Sequence, residues 1–426
     1  MERAAALARN PFLLWAAFVA AHLWLGLLNF YAPGLPMGDV TLVYKFWIDQ
    51  ALVANFWVGI DSVWVYPIVA LVPMLAASAF GPDLYASTWL TMVMLLNAIA
   101  FGVLTGWGRS RDRVVAGWWW VGFLVLLGPI ALARIDSISV AVAIVAVLLL
   151  ATRPGVAGVL LAIATWIKVW PAALIAAAVV ALRERLRVLA AVLVVTAAVL
   201  LIALLIGAGG NVLSFVTQQT GRGLQPESPI ATIWMWMALA GVPGAAVSYD
   251  RSILSFAVTG PGADVAIAWM TPVLAIATLG VVALGVRALR AGASAADLLP
   301  PLALALTVSL IAFNKVGSPQ FIGWIAAPVL LGLVAHAAGT GRSFRTPAMI
   351  SLAIAALTQT IYPYLYTALL SLQPLLVAVL TVRNLLEFVL LGWAVYAIVT
   401  APRYATEVED EWLPGVWPFA RDRDRL

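Results

Sequence analysis

The chain has 426 residues, of which 64% are hydrophobic and only 10% charged, and its mean hydropathy is +1.03. That much apolar surface exceeds what a soluble core of this size needs, so the composition predicts an all-α polytopic membrane protein, a single integral domain over 1–426. The net charge of +5 is laid out as short basic clusters between apolar runs, which orients membrane helices and argues against nucleic acid as a partner; the lack of cysteine excludes disulfides and thiolate chemistry.

A bilayer-spanning helix takes about twenty apolar residues. The basic start, with Arg3 and Arg9, has no small-residue cleavage site and predicts an uncleaved first span from Pro11 to Tyr31, leading out of the cytoplasm. An external segment over 33–83 follows, rich in acids and aromatics. Its last part, Pro67 to Phe80, is too short to cross and is expected to lie as an interfacial helix, which keeps Arg109, Arg111 and Arg113 inside. Spans are then expected at Leu84–Trp107, Val114–Leu132 and Ser137–Ala151. Val156–Trp166 and Pro171–Leu182 are short runs that either cross or form a re-entrant hairpin bent at Ile167-Lys168-Val169-Trp170. Val188–Ile206 leads out to a second external segment, 207–264, with a surface helix around Ile230–Leu239. Spans at Val265–Val286, Leu298–Phe313, Phe321–His336, Ala348–Leu365 and Leu376–Thr400 bring the total to about twelve and return a tail, 401–426, to the cytoplasm.

On this path the basic clusters fall inside, while Lys45, Arg134, Lys168, Arg222, Arg251, Lys315 and Arg383 stand singly on the external side or at helix mouths. A charge at a helix mouth is costly without a partner, so these cations are expected to receive an anion. Arg222 lies between Gly221 and Gly223, which let backbone amides approach a ligand; Arg383 lies inside the last span, where it either meets the anion or pairs with Glu387 one turn on. Among the acids, Asp39 after Gly38 is the candidate general base, since a carboxylate that takes a hydroxyl proton contributes about 10² to 10⁴ in rate; the alternative is a plain turn residue. Arg134 and Asp136 form either a local salt bridge and helix cap or a substrate contact. Of the 19 tryptophans most belong to interfacial belts, but Trp47, Trp57, Trp64, Trp234 and Trp236 sit on external segments where an indole stacks on a sugar or lines an acyl groove. His22 and His336 are the only histidines and no Asp-x-Asp pair falls in an external loop, so no metal or other cofactor is expected.

Gly38-Asp39 in an early external loop, Tyr66-Pro67 opening an interfacial helix, the Phe80-Gly81 break and the many spans together resemble the GT-C superfamily of membrane glycosyltransferases. More narrowly, Asp39-Val40 with Tyr44, the hairpin from Ala157-Gly158 to Lys168-Val169-Trp170-Pro171, Arg222 through Ser228, Ser318-Pro319-Gln320 and Arg383-Asn384 resemble glycosyltransferase family 87, the actinobacterial polyprenol-phosphate-mannose-dependent α-mannosyltransferases and their arabinofuranosyltransferase relatives. The chain departs from that family in lacking an external histidine and in carrying Arg134-Ile135-Asp136 where many relatives have a Gly-Gln pair. The resemblance implies an active site at the outer face of the plasma membrane, with cytoplasmic termini and inverting transfer of mannose, or alternatively arabinofuranose, from a polyprenyl-phosphate donor to a glycolipid or polysaccharide hydroxyl. It further implies Asp39 as base; with such a donor the isolated cations Arg222, Arg383, Lys168 and Lys315 are expected on its phosphate, and Tyr44, Arg134, Asp136, Gln225, Glu227, Gln320 and Asn384 on acceptor or sugar. A lipid-linked sugar transporter is the rival of a different class; it calls for internal repeats and helices broken at the bilayer midplane.

Overall fold

The structure, a computed structural model, describes residues 10–218, 221–251 and 255–401, and of Arg111 only the backbone. The expectations for Arg3, Arg9 and the tail beyond Ala401 lie outside the described residues.

Helix α1 (Pro11–Tyr31) starts as its sequence dictates: the Asn10 side chain caps the Phe12 amide at 2.9 Å and Pro11 occupies the first turn, where its missing N–H costs nothing. There follow α2 (Tyr85–Thr105), α3 (Val114–Leu127), α4 (Ile135–Leu149), α5 (Pro154–Ile167), α6 (Ala172–Ala181), α7 (Arg185–Leu205), α8 (Ala263–Arg290), α9 (Ala295–Ala312), α10 (Ala326–Ala337), α11 (Arg345–Gln359) and α12 (Pro374–Val399). Seven of the described helices are long and apolar enough to cross a membrane: α1, α2 with the turn before it, α7, α8, α9, α10 with the turn before it, and α12. Helices α3 to α6 are apolar but shorter, at 10 to 15 residues.

Burial sorts the long helices. In α9, 89% of the most apolar window is buried, because the helix packs against α6, α8, α10 and α12 at once. In α7 and α8 only 11% is buried, although both are strongly apolar. Water would not tolerate those faces; a hydrocarbon surround would.

The structure corrects the all-α expectation in one place. Within 207–264, Ala246–Asp250 and Ser255–Thr259 pair as an antiparallel hairpin, and the Val258 amide donates to the Leu224 carbonyl at 2.8 Å. Ser-Phe-Ala-Val-Thr over 255–259 has the β-branched and aromatic content of a strand, but five residues among long helical runs carry too weak a period to stand out. The expected interfacial helix after Pro67 is also smaller than its apolar run: a tight turn at Ile68–Ala70 and then Leu71–Ala76. The surface helix after Ile230 is present as Thr232–Leu239.

The two short helices α5 and α6 sit against α4, α7 and α9. Gly158 of α5 is what allows α7 so close, since a Cβ there would lie 2.7 Å from the Val188 backbone carbonyl. Gly158→Ala is therefore expected to destabilise the protein by about 1–3 kcal/mol through overpacking, outweighing the roughly 1 kcal/mol that alanine contributes in a helix interior. Thermal unfolding of the detergent-solubilised protein is the measurement; an unchanged or raised midpoint refutes the close packing.

Candidate active site

One cavity of about 460 Å³ opens at one end of the helices, and segments distant in sequence meet around it. Its lining includes Asp39, Tyr44, Trp47 and Tyr66 from the first inter-helix segment, Arg134 before α4 and Lys168 between α5 and α6. Gln218, Arg222, Gln225 and Glu227 come from the long segment after α7, Tyr249 and Phe256 from the hairpin, Ser318, Gln320 and Phe321 before α10, and Tyr362 and Tyr366 after α11.

Asp39 begins a turn of π-helix, Asp39–Tyr44, that runs directly into Lys45–Ala54, so it is not in an open turn. Its Oδ2 lies 3.0 Å from Nε of Arg134, and 40% of its side chain stays exposed while the arginine is buried. Arg134 donates further to the backbone carbonyls of Pro36 and Ala133 and to the Tyr362 hydroxyl at 3.0 Å. Burial pulls the Arg134 guanidinium down, but Asp39, Tyr362 and Tyr44 outweigh it and leave the group above its ordinary value. The pairing of Arg134 is thus with Asp39, 95 residues away in sequence, whereas Asp136 turns elsewhere.

Asp136, in the first turn of α4, accepts from the Trp324 indole at 2.7 Å and faces Lys168 Nζ at 3.7 Å. Trp324 stacks on Trp170, with centroids 5.6 Å apart and planes 7° from parallel, and the Trp170 indole donates to Ser139 of α4 at 2.9 Å. This fixes the α5–α6 bend to α4 and aims Lys168 over the Tyr66 ring, 4.5 Å from its centroid. Tyr44 is buried, and its hydroxyl accepts the Ile135 amide at 3.3 Å. Burial first, then Tyr66 and Asp39, pushes the Tyr44 phenol well above its ordinary value, so it stays protonated.

The stretch 222–228 is strapped from three sides. Leu224 bonds to the hairpin, the Gln225 amide donates to the Lys315 carbonyl at 3.0 Å, and an Arg383 terminal nitrogen donates to the Glu227 backbone carbonyl. Gly317 lies so near that a Cβ would come within 2.1 Å of the Ser228 amide nitrogen, so no other residue fits there. The Gln225 side chain donates to Ser255 at 3.0 Å, and the Ser318 hydroxyl donates to Gln320 at 2.6 Å. Glu227 is buried beside the cavity and shares a hydrogen bond with the Tyr366 phenol; burial, against the opposing pull of Arg383 and Tyr366, pushes its carboxyl up to about 7.

Of the residues singled out in the sequence, Asp39, Tyr44, Arg134, Lys168, Arg222, Gln225, Glu227 and Gln320 line this cavity. Asp136 stands behind Lys168. Arg383 and Asn384 stand behind the 222–232 stretch: Arg383 pairs with Glu387 at 3.2 Å, both buried, and Asn384 donates to Thr232 at 2.7 Å. Lys315 lines a separate recess with Asp264 and Thr271. Trp57, Trp64, Trp234 and Trp236 lie off the cavity lining; Trp47 is on it. Sequence reasoning passed over Tyr362 and Tyr366. The visible signal was three tyrosines in Tyr362-Pro363-Tyr364-Leu365-Tyr366, where an apolar run ends. Among the described residues no three His, Asp or Glu side chains converge as metal ligands would. No protein-family model matches this chain, and no curated protein matches it.

Arg134→Ala is expected to cost about 3 kcal/mol, because it unpairs Asp39 and strips two backbone carbonyls of a buried donor. Arg134→Lys restores less than about half of that, since a point charge cannot span partners set around a planar fork. Thermal unfolding of the three proteins side by side tests both statements, and full rescue by lysine contradicts the second.

Proposed function

We propose that this chain is an inverting membrane glycosyltransferase of GT-C type, with about twelve membrane passes, that moves a sugar from a polyprenyl-phosphate donor to an acceptor hydroxyl. The single observation that carries the reading is the convergence of Asp39, Arg134, Lys168 and Arg222 on one cavity at the end of the apolar helices. A carboxylate and several cations beside an apolar surround are what a reaction between an alcohol and a lipid-linked phosphodiester requires.

In the proposed step the acceptor oxygen attacks the anomeric carbon on the face opposite the phosphate. The bond from that carbon to the phosphate oxygen breaks with its electron pair leaving on the phosphate, and Asp39 takes the acceptor proton. The salt bridge to Arg134 holds one Asp39 oxygen in place, which fixes the carboxylate before substrate arrives. Lys168 and Arg222 stabilise the charge that grows on the departing phosphate. Trp47, Tyr66, Phe256 and Phe321 supply the flat and apolar lining that a sugar ring and the first prenyl unit need. Arg383 contributes through Glu227 instead of touching the phosphate, and Lys315 stands outside the cavity. The cavity is taken to face the outside of the plasma membrane, with mannose as the expected donor sugar and a glycolipid or polysaccharide as acceptor.

The test supplies membranes containing the protein with labelled polyprenyl-phosphate mannose and identifies the product. Asp39→Asn is expected to lower transfer by about 10² to 10⁴, and transfer that survives the substitution removes Asp39 as base. Movement of the labelled lipid across sealed vesicles with no glycosylated product favours the transporter instead. EDTA is expected to leave the rate unchanged, and a strict requirement for added divalent cation contradicts the site as described.

A further inference from the structure

The cavity holds a second carboxyl group that the proposed step does not use. Glu227 is 8% exposed and lines the cavity, yet Arg383, which reaches its backbone carbonyl, forms its salt bridge with Glu387 instead. Arg383 directs one terminal nitrogen to Glu387 at 3.2 Å and the other to the Glu227 backbone carbonyl, so the Glu227 carboxyl has no side-chain ion pair with it and is hydrogen-bonded by its own backbone amide and the Tyr366 phenol. A buried carboxyl without a tight ion pair is costly to ionise.

The charge balance of the cavity points the same way. Arg134 is matched by Asp39 at 3.0 Å and Lys168 is faced by Asp136 at 3.7 Å, which leaves Arg222 as the lining cation in excess. With Glu227 neutral, the lining together with Asp136 behind it carries one surplus positive charge, equal and opposite to a phosphodiester. With Glu227 ionised, the surplus is gone and a carboxylate faces the ligand's phosphate. We propose that Glu227 serves as a neutral carboxylic acid that donates a hydrogen bond to the monoanionic phosphodiester in the cavity, and that its ionisation expels that ligand. This rests on the phosphodiester reading of the cavity given above and adds a group that selects for the ligand's charge.

Burial holds the Glu227 carboxyl up at about 7, so it is protonated below that pH and loses its proton as pH rises through it. Affinity is therefore full on the acid side and falls on the alkaline side. The titratable groups that act on Glu227 are Arg383 from α12, Tyr366 from the corner after α11 and Arg134 at the start of α4; Tyr362, Tyr249 and Arg222 share its cavity lining, while Glu387 stands behind Arg383 and Lys315 is on the loop bonded to Gln225. Burial and Glu227 itself push the Tyr366 phenol well above its ordinary value, which keeps it a hydrogen-bond donor throughout. Lys315 is the rival, because burial pulls its ammonium down and loss of that proton would also weaken an anion.

Binding of farnesyl phosphomannose, a phosphodiester whose own charge is constant between about pH 5 and 9, is measured by calorimetry on the purified full-length protein at pH 6, 7, 8 and 9. Wild type is expected to weaken about tenfold per unit above pH 7, a ratio on the order of a hundredfold between pH 6 and pH 9. In Glu227→Gln that ratio is expected to collapse to about one, since the amide donates at every pH. A flat wild-type profile overturns the proposal, and a Glu227→Gln profile as steep as wild type assigns the titration to another group such as Lys315 and overturns it too. Tyr366→Phe is the second variant: it removes a bond that favours the ionised form, so its midpoint is expected to move to higher pH, and an unmoved midpoint counts against Glu227 even if the glutamine variant does not fold. No binding by wild type at any pH defeats the phosphodiester reading itself, an outcome distinct from binding without pH dependence.

Discussion

The cavity depends on the buried guanidinium of Arg134. One side chain reaches Asp39 and the Pro36 carbonyl on the first inter-helix segment, its own neighbour Ala133, and the Tyr362 hydroxyl at the corner after α11. Those elements come from opposite ends of the chain, and no continuous apolar packing would fix their angle as closely as a planar fork of donors does. Such an arrangement is expensive, because a charge taken out of water must recover its hydration from a few protein atoms. It persists where the donors find acceptors in the right direction, and each of the three Arg134 nitrogens has one.

From Arg134 the polar contacts run on around the wall. Tyr362 packs edge-on to Tyr366 at 5.4 Å, Tyr366 bonds to Glu227, and Arg383 ties the backbone of Glu227 to Glu387 inside α12. On the other side Asp136, Trp324, Trp170 and Ser139 lock the Lys168 bend to α4. The cavity therefore has rigid walls made of charged and aromatic groups, while the helices carrying them are held by the apolar packing around α9. Polar groups at the end of an apolar bundle let a ligand keep its charged part among fixed dipoles and its greasy part against hydrocarbon. The long apolar helices α7 and α8, scarcely buried within the chain, mark the perimeter that such a surround covers.

Much of the scaffold was legible from the residues. Apolar runs bounded by Pro, Gly and basic clusters placed the long helices to within a few residues, because the bilayer imposes one length and one composition on any helix that crosses it. Asp39, Lys168 and Arg222 could be picked out as isolated charges in an apolar chain, and the cavity gathers all of them. The hairpin at 246–259 was not legible: a five-residue strand is an ordinary piece of loop until a partner strand and the Leu224 carbonyl supply its hydrogen bonds. Nor was the role of Tyr366, since a tyrosine at a helix end reads as an interfacial anchor until its neighbour is known.

By itself the sequence determined that the chain is a bundle of apolar helices, which charges stand alone in it, and where the inter-helix segments are long enough to hold a site. Those properties follow from local composition, which needs no knowledge of neighbours. Only the tertiary structure decided the pairings: that Arg134 answers Asp39 while Asp136 answers Lys168, that Arg383 is spent on Glu387 and a backbone carbonyl, and that Lys315 turns to a different recess. An ion pair depends on distance and burial, and residues as separated in the chain as Asp39 and Arg134, or Asp136 and Lys168, acquire both only when the helices between them have packed.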